Sequence, residues 1–181
     1  MVRERVTFGP ARLFIGGQWT DGGTPIPVRD KYTGEVIGTV PEARREDVEA
    51  AVAAAQEGAK AMAALPAWRR AEILLRAAGM IRERKEEFAR LIAAEAGKAL
   101  KWARVEVERA IWTFTIAAEE ARRIEGEVIP LDAVPAGEGY FGFYVRRPVG
   151  VVAAISPFNF PPQPGGPQSR PGPGGGERCG T

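Results

Sequence analysis

Four consecutive segments of the chain carry apolar residues at the spacing of an amphipathic helix, and this run constrains the fold more than any other feature. The four segments span about 45–65, 67–84, 85–96 and 98–124. Pro66 stops the first segment, and Gly97 is a typical C-terminal cap for the third. An amphipathic helix must bury its apolar side, so four in succession predict a helical layer packed against another part of the protein.

The fourth predicted helix is the longest and the richest in large side chains. Its predicted inward residues are Trp102, Val105, Ala110, Phe114 and Ala117, and its predicted outward residues are Glu106, Glu108, Arg109 and Glu119. Trp68, Trp102 and Trp112 are interpreted as core or interface residues. Glu106 and Glu108 lie two positions apart, so on a helix they point in different directions and do not form a general acid/base pair.

Short β-rich segments flank the helices on both sides. FIGGQW (14–19) and YTGEVIGTV (32–40) place glycines between apolar residues and predict small hairpin-like strands. The segment 127–148 is β-branched and aromatic but broken by prolines, which predicts extended strands with turns. Residues 149–155 are apolar on both faces, as in a buried parallel strand. The expected fold class is therefore α/β.

Composition excludes several kinds of chemistry. Among 181 residues there is one cysteine, Cys179, and no histidine. An internal disulfide is impossible, a Cys/His zinc site lacks ligands, and a Ser-His or Cys-His nucleophile lacks its base. The net charge of +2 gives no reason to expect a nucleic-acid partner. No stretch has the apolar length of a membrane span or a signal peptide, so we expect a cytoplasmic protein without membrane or metal.

Two glycine-rich motifs resemble phosphate-binding loops only superficially. GEGYFG (137–142) matches G-x-G-x-x-G, but Pro135 precedes it and a strand-like run follows, so a flexible connection is the better interpretation. GGGERCGT (174–181) has no lysine and no helix after it. Cys179 lies in that segment without a neighbouring base, so we assign it no nucleophilic role.

The segment GVVAAISPFNFP (150–161) is the strongest candidate site. A parallel strand that ends in Ser-Pro-Phe-Asn places amides at the carboxyl edge of a sheet, where α/β proteins bind ligands. Asn159 could donate a hydrogen bond to a developing oxyanion. Its alternative is an ordinary turn asparagine, and the residue pattern alone leaves both open.

Several motifs in order, FIGGQW, YTGEVIGTVP, EDVEAAVAAA, AEAGKALKWARVEVERAIWTF and RRPVGVVAAISPFNFP, resemble the N-terminal third of the aldehyde dehydrogenase superfamily. The resemblance covers about 13–161 and looks closest to the lactaldehyde and non-phosphorylating glyceraldehyde-3-phosphate branch. It implies a helical layer with short strands, oligomerisation strands at about 127–148, and the first strand of a Rossmann-like cofactor domain at about 149–155.

The same resemblance implies roles for five site residues. Asn159 matches the family's oxyanion-hole asparagine. The strand end and turn that face the NAD or NADP nicotinamide match Ile155, Ser156, Pro157 and Phe158. The family usually has tryptophan at the position of Phe158, which keeps an aromatic wall. The implied partners are a small aldehyde and further copies of the same subunit. The family's catalytic cysteine, general-base glutamate and cofactor-selecting residues come later in its chain and match nothing here.

After Pro161 the resemblance stops. Twelve of the twenty residues at 162–181 are Pro or Gly and none is aliphatic or aromatic, which predicts a disordered tail. Synonymous codons can be chosen for this tail so that deleting one C from its opening run yields P-L-N-L-V-A-H-K-V-A-P-A-L-A-A-G-N-A-A, the type of sequence with which family members continue. We therefore hypothesise a single-base insertion that shifts the frame, giving 1–161 as the family portion and 162–181 as the out-of-frame tail.

Two functions follow from this division. The first is an aldehyde-oxidising enzyme that works through a cysteine thioester, of which the present chain is a truncated form, inactive alone. The second is a non-catalytic helical or oligomerisation module that binds full-length subunits.

Overall fold

A computed structural model describes residues 7–156 of the chain. Four strands come first: β1 (Leu13–Ile15), β2 (Gln18–Thr20), β3 (Pro25–Arg29) and β4 (Val36–Pro41). Four helices follow: α1 (Arg45–Ala64), α2 (Ala67–Glu83), α3 (Lys85–Ala96) and α4 (Leu100–Ala121). Two short strands close the described part: β5 (Glu127–Ile129) and β6 (Gly142–Tyr144). The predictions for Pro157, Phe158, Asn159 and the 162–181 tail lie outside the described residues.

The two N-terminal hairpins confirm the predicted β character. In the first, Gly16 and Gly17 both have positive φ, which glycine adopts without steric cost, and Phe14 pairs with Trp19 across the turn. The second hairpin pairs β3 with β4 antiparallel. The sequence did not predict β3, because its two prolines argue against a central strand and are tolerated only at an edge.

The core lies between α2, α3 and α4. Its buried residues are Ala78, Ala89, Ile92, Ala103, Val107 and Ile111. Half of these are alanines, which let the helix axes approach closely, so α4 packs against both α2 and α3. Helix α1 is different: none of its residues is buried, and its main contact is with β1.

The predicted inward face of α4 is wrong in part. Ala110 is buried as expected, but Trp102, Val105 and Ala117 are exposed, whereas Glu106 is 3% exposed. Helix α4 carries two apolar stripes, and only the stripe containing Ala103, Val107, Ala110 and Ile111 fits between two neighbouring helices. The three tryptophans of the helical layer are not core residues, since Trp68, Trp102 and Trp112 are all exposed.

The boundary between α3 and α4 follows the predicted glycine signal. Gly97 adopts the left-handed conformation, with φ of 67°, and ends α3. The backbone N–H of Lys31 donates to the carbonyl oxygen of Ala94 at 3.3 Å, and this bond ties the last turn of α3 to the loop before β4. A neighbouring chain segment thereby satisfies one of the carbonyl groups at the helix end.

The predicted parallel strand at 149–155 does not form in this structure. Residues 149–156 belong to no strand, and the side chains of Val149 and Ile155 are 90% and 94% exposed. A buried parallel strand needs hydrogen-bonded neighbours on its edges and cover on its faces. The residues from 7 to 156 supply neither, so the segment forms no strand and its apolar side chains lie at the surface.

Candidate functional site

The predicted active-site residues fall at the end of the described chain. Ile155 and Ser156 are described, and Ser156 makes an interaction with another group. Pro157, Phe158 and Asn159 lie beyond the described residues. The structure therefore places two of the five predicted residues, and both of them are exposed.

The G-x-G-x-x-G match at 137–142 is not a dinucleotide loop. Gly137 ends a short 3₁₀ turn, Gly139 has a φ of 80°, and Gly142 begins β6. A phosphate loop needs a strand before the glycines and a helix N-terminus after them, whose N–H groups bind the pyrophosphate. The connection predicted from the sequence is confirmed.

A second candidate site is the β5–β6 hairpin, which falls in the predicted oligomerisation segment. Its strands pair antiparallel, with Glu127 opposite Tyr144, Val128 opposite Phe143 and Ile129 opposite Gly142. Val128 and Phe143 are exposed, as are neighbouring Phe141 and Val145. An isolated two-stranded ribbon with a row of exposed apolar side chains is marginal in water and favours association.

A polar contact and a close backbone approach fix the register of this hairpin. The Tyr144 hydroxyl donates a hydrogen bond to Glu127 Oε2 at 3.0 Å. This bond, together with the negative charge of Glu127, raises the pKa of the Tyr144 phenol. Beside it, a Cβ at Gly126 would lie 2.0 Å from the backbone oxygen of Tyr144, so only glycine fits there. Neither contact could be predicted from a local sequence pattern.

The two carboxylates on α4 are held by two different lysines. Glu106 accepts a hydrogen bond from Lys98, and Glu108 accepts one from Lys85. Glu106 is buried, whereas Glu108 is partly exposed. The two side chains thus point to different neighbours, as their spacing on a helix predicts. The prediction that Glu106 points outward is wrong, because its charge is neutralised inside the layer by Lys98.

Between residues 7 and 156 no three acidic, cysteine or histidine side chains come together as metal ligands would. In the same range no helix has the length and apolar character needed to cross a membrane.

Comparison with known proteins gives one family over most of the chain. The family model described as "Aldehyde dehydrogenase family" matches residues 19–164. This range includes all four helices, the β3–β4 and β5–β6 hairpins on either side of them, and the segment with the predicted site residues. The resemblance of the sequence motifs is thereby confirmed.

Curated relatives agree with the predicted branch. The chain is 42% identical over 149 residues to a 3-sulfolactaldehyde dehydrogenase of Priestia aryabhattai, covering 82% of this chain and 31% of that protein. It is also 42% identical over 149 residues to a lactaldehyde dehydrogenase of Methanocaldococcus jannaschii, with the same shares. The chain thus spans about a third of the length of the curated relatives it matches.

A solved structure gives the same relation in three dimensions. The crystal structure of aldehyde dehydrogenase 21 from Physcomitrella patens, in complex with the reaction product succinate, superposes with a TM-score of 0.81 at 40% identity. The match covers 86% of this chain and 33% of the other. The helical layer and its hairpins are therefore a recognised part of a larger fold.

Proposed function

This chain belongs to the aldehyde dehydrogenase family, and we propose that it is the N-terminal portion of an enzyme that oxidises an aldehyde to its carboxylic acid. The family uses NAD or NADP, which accepts the hydride when bound. The observation that carries the proposal is the family match over 19–164 together with a backbone that superposes on a third of a solved relative. The oxidation would pass through a cysteine thioester formed by a residue that has no match here.

Asn159 is the residue of this chain to which we assign a part in the chemistry. Its amide would donate a hydrogen bond to the oxyanion that develops when a nucleophile attacks the aldehyde carbonyl. Ile155, Ser156, Pro157 and Phe158 would form the adjoining wall for the nicotinamide. In a frame-corrected enzyme, Asn159→Ala should lower kcat about 10²- to 10³-fold with little change in KM, the loss typical of one oxyanion donor. An unchanged kcat would leave Asn159 as a turn residue.

The substrate that we propose is a small aldehyde. The names of the relatives support this class, since they include lactaldehyde, 3-sulfolactaldehyde and malonate-semialdehyde dehydrogenases. The test is to measure NAD and NADP reduction by the frame-corrected protein with lactaldehyde and malonate semialdehyde. If no combination of these aldehydes and cofactors gave turnover, the proposed substrate class would be contradicted. A cytoplasmic location stays a prediction.

We also propose that residues 162–181 are encoded out of frame. The codon relation between this tail and the family continuation supports it, as does the absence of any aliphatic or aromatic side chain in the tail. Sequencing of the coding DNA across the C run that encodes Pro161 and Pro162 tests the idea. An unambiguous in-frame reading of the tail would contradict it.

A polypeptide of these 181 residues alone should not oxidise aldehydes, because none of its residues matches the family's nucleophile or general base. The purified chain and the frame-corrected product should be assayed side by side, with the corrected product as the positive control. Activity in the corrected product alone supports the proposal, and activity in the 181-residue chain refutes it.

The second candidate function is an oligomerisation module that binds full-length subunits without turnover. The observation that favours it is the β5–β6 hairpin, where Val128 and Phe143 are exposed and no third strand pairs within residues 7–156. Mixing the chain with a full-length homologue should give a mixed species in size-exclusion chromatography. Gly126→Val, which obstructs the pairing of the two strands, should abolish it, whereas Gly58→Ala on α1, where an added Cβ meets no atom within 4 Å, should leave it unchanged.

A further inference from the structure

The segment Phe8–Ala11 runs along the outer edge of β4. The backbone N–H of Phe8 donates to the carbonyl oxygen of Ile37 at 2.8 Å, and the N–H of Ala11 donates to that of Thr39 at 2.8 Å. The residue numbers of the donors, 8 and 11, increase together with those of the acceptors, 37 and 39. The segment and β4 therefore run in the same direction. Strand β3 occupies the opposite edge of β4. The segment therefore occupies the edge that β3 leaves open.

Gly38, between these two acceptor residues, is shaped to the side chain of Phe8. A Cβ at Gly38 would lie 2.3 to 2.5 Å from three carbon atoms of the Phe8 ring, a distance that real Cβ atoms do not reach. The positive-φ glycines do not include Gly38, so the backbone itself would accept alanine. The need for glycine at this position comes from the ring that lies over it.

We propose that Phe8–Ala11 is a strap that closes the outer edge of β4, and that the Phe8 ring seated on Gly38 is its lock. Two backbone hydrogen bonds and one ring contact hold the strap, and its anchors are separate from the core between α2, α3 and α4. It can therefore open without unfolding the helical layer. An open strap leaves the carbonyl groups of Ile37 and Thr39 without these partners, on a strand edge that a second copy of the chain can pair with.

Hydrogen exchange in the full chain tests the lock directly. Gly38→Ala should speed exchange of the Phe8 and Ala11 amides about tenfold, the factor expected when one backbone hydrogen bond is lost. The matched control is Gly58→Ala on α1, where an added Cβ meets no atom within 4 Å. Exchange of the Ile111 amide reports whether the core stays folded. Equal exchange at Phe8 and Ala11 in the Gly38→Ala and Gly58→Ala variants overturns the proposal.

A double variant separates the lock from general damage to β4. Phe8→Ala removes the ring that Gly38→Ala would strike, so adding Gly38→Ala to Phe8→Ala should change exchange at Ala11 no further. Additive effects of the two substitutions would mean that Gly38 acts on the strand rather than on Phe8, and would overturn the lock.

Self-association tests the second half of the proposal. The fraction of associated chain in size-exclusion chromatography should rise with concentration more steeply for Gly38→Ala than for Gly58→Ala or the unchanged chain. Identical elution of the three proteins across the concentration range would show that the strap does not protect this edge. The inference does not depend on the proposed enzymatic function.

Discussion

The ammonium group of Lys98 donates a hydrogen bond to Oε2 of Glu106, which is the buried charged residue on the inner face of α4. Glu106 is 3% exposed and the Lys98 side chain 21% exposed, so the pair is largely removed from water. The second oxygen of Glu106 has no hydrogen-bond partner in the described structure. Lys98 therefore compensates the charge of this buried carboxylate.

Removal of Lys98 should destabilise the helical layer strongly. Lys98→Met leaves the Glu106 carboxylate buried without a counter-charge, which typically costs about 3 to 5 kcal/mol. The free energy of unfolding from urea titration measures the loss. The double variant Lys98→Met/Glu106→Leu should recover most of it, since neither charge is then buried. The control is Arg45→Met, which breaks an exposed pair with Glu49 and should have little effect.

Ile111 should be far more sensitive to truncation than Ile116, although both lie on α4. Ile111 is 1% exposed and belongs to the core, whereas Ile116 is 53% exposed. Ile111→Ala should lower the free energy of unfolding by about 2 to 5 kcal/mol, because it removes buried apolar area and leaves a cavity. Ile116→Ala should cost much less. Equal losses in urea denaturation would contradict the orientation of α4.

Two glycine-to-alanine substitutions should act in opposite directions. Gly97 has a φ of 67° and its Cβ would lie 3.1 Å from Lys31 Cβ, so Gly97→Ala should destabilise by about 1 kcal/mol or more. Gly58 lies inside α1 with open space around it, so Gly58→Ala should stabilise that helix by about 0.5 to 1 kcal/mol. Thermal unfolding of the two variants measures the direction of each change in stability. Changes in the same direction would contradict one of the two described glycine environments.

The contact between Tyr144 and Glu127 should make the β5–β6 hairpin sensitive to alkali. The raised pKa of Tyr144 means that the folded hairpin holds the phenol proton more tightly than the unfolded chain does. The contribution is therefore complete below the unfolded pKa and is lost as pH rises through the folded one. Ultraviolet titration should give a higher midpoint for Tyr144 in the unchanged chain than in the Glu127→Gln variant.

Tyr144→Phe identifies the phenol responsible in this titration, since Tyr32 and Tyr140 also absorb. The Tyr144→Phe substitution should remove the transition with the raised midpoint from the titration curve. A curve that keeps this midpoint after Tyr144→Phe would show that another tyrosine carries the shift.

The helices were predictable because each carries local signals. Pro66 and Gly97 mark ends that depend only on backbone chemistry, and α3 spans Lys85–Ala96 as expected. The sequence motifs likewise indicated the family, and with it the proposed role of Asn159. The face that α4 buries was not predictable, because the stripe with Trp102 and the stripe with Val107 are both apolar.

What the sequence by itself determined is the order, type and approximate ends of the helices and the family to which the chain belongs. Only the tertiary structure decided that Glu106 is buried with a hydrogen bond from Lys98, that the Phe8 ring packs on Gly38, and that residues 149–156 remain exposed. The reason is the range of the forces involved. Caps and periodicity act within a few residues, whereas burial and strand pairing depend on which distant segments meet, and the neighbours that a strand at 149–155 needs are not among the described residues.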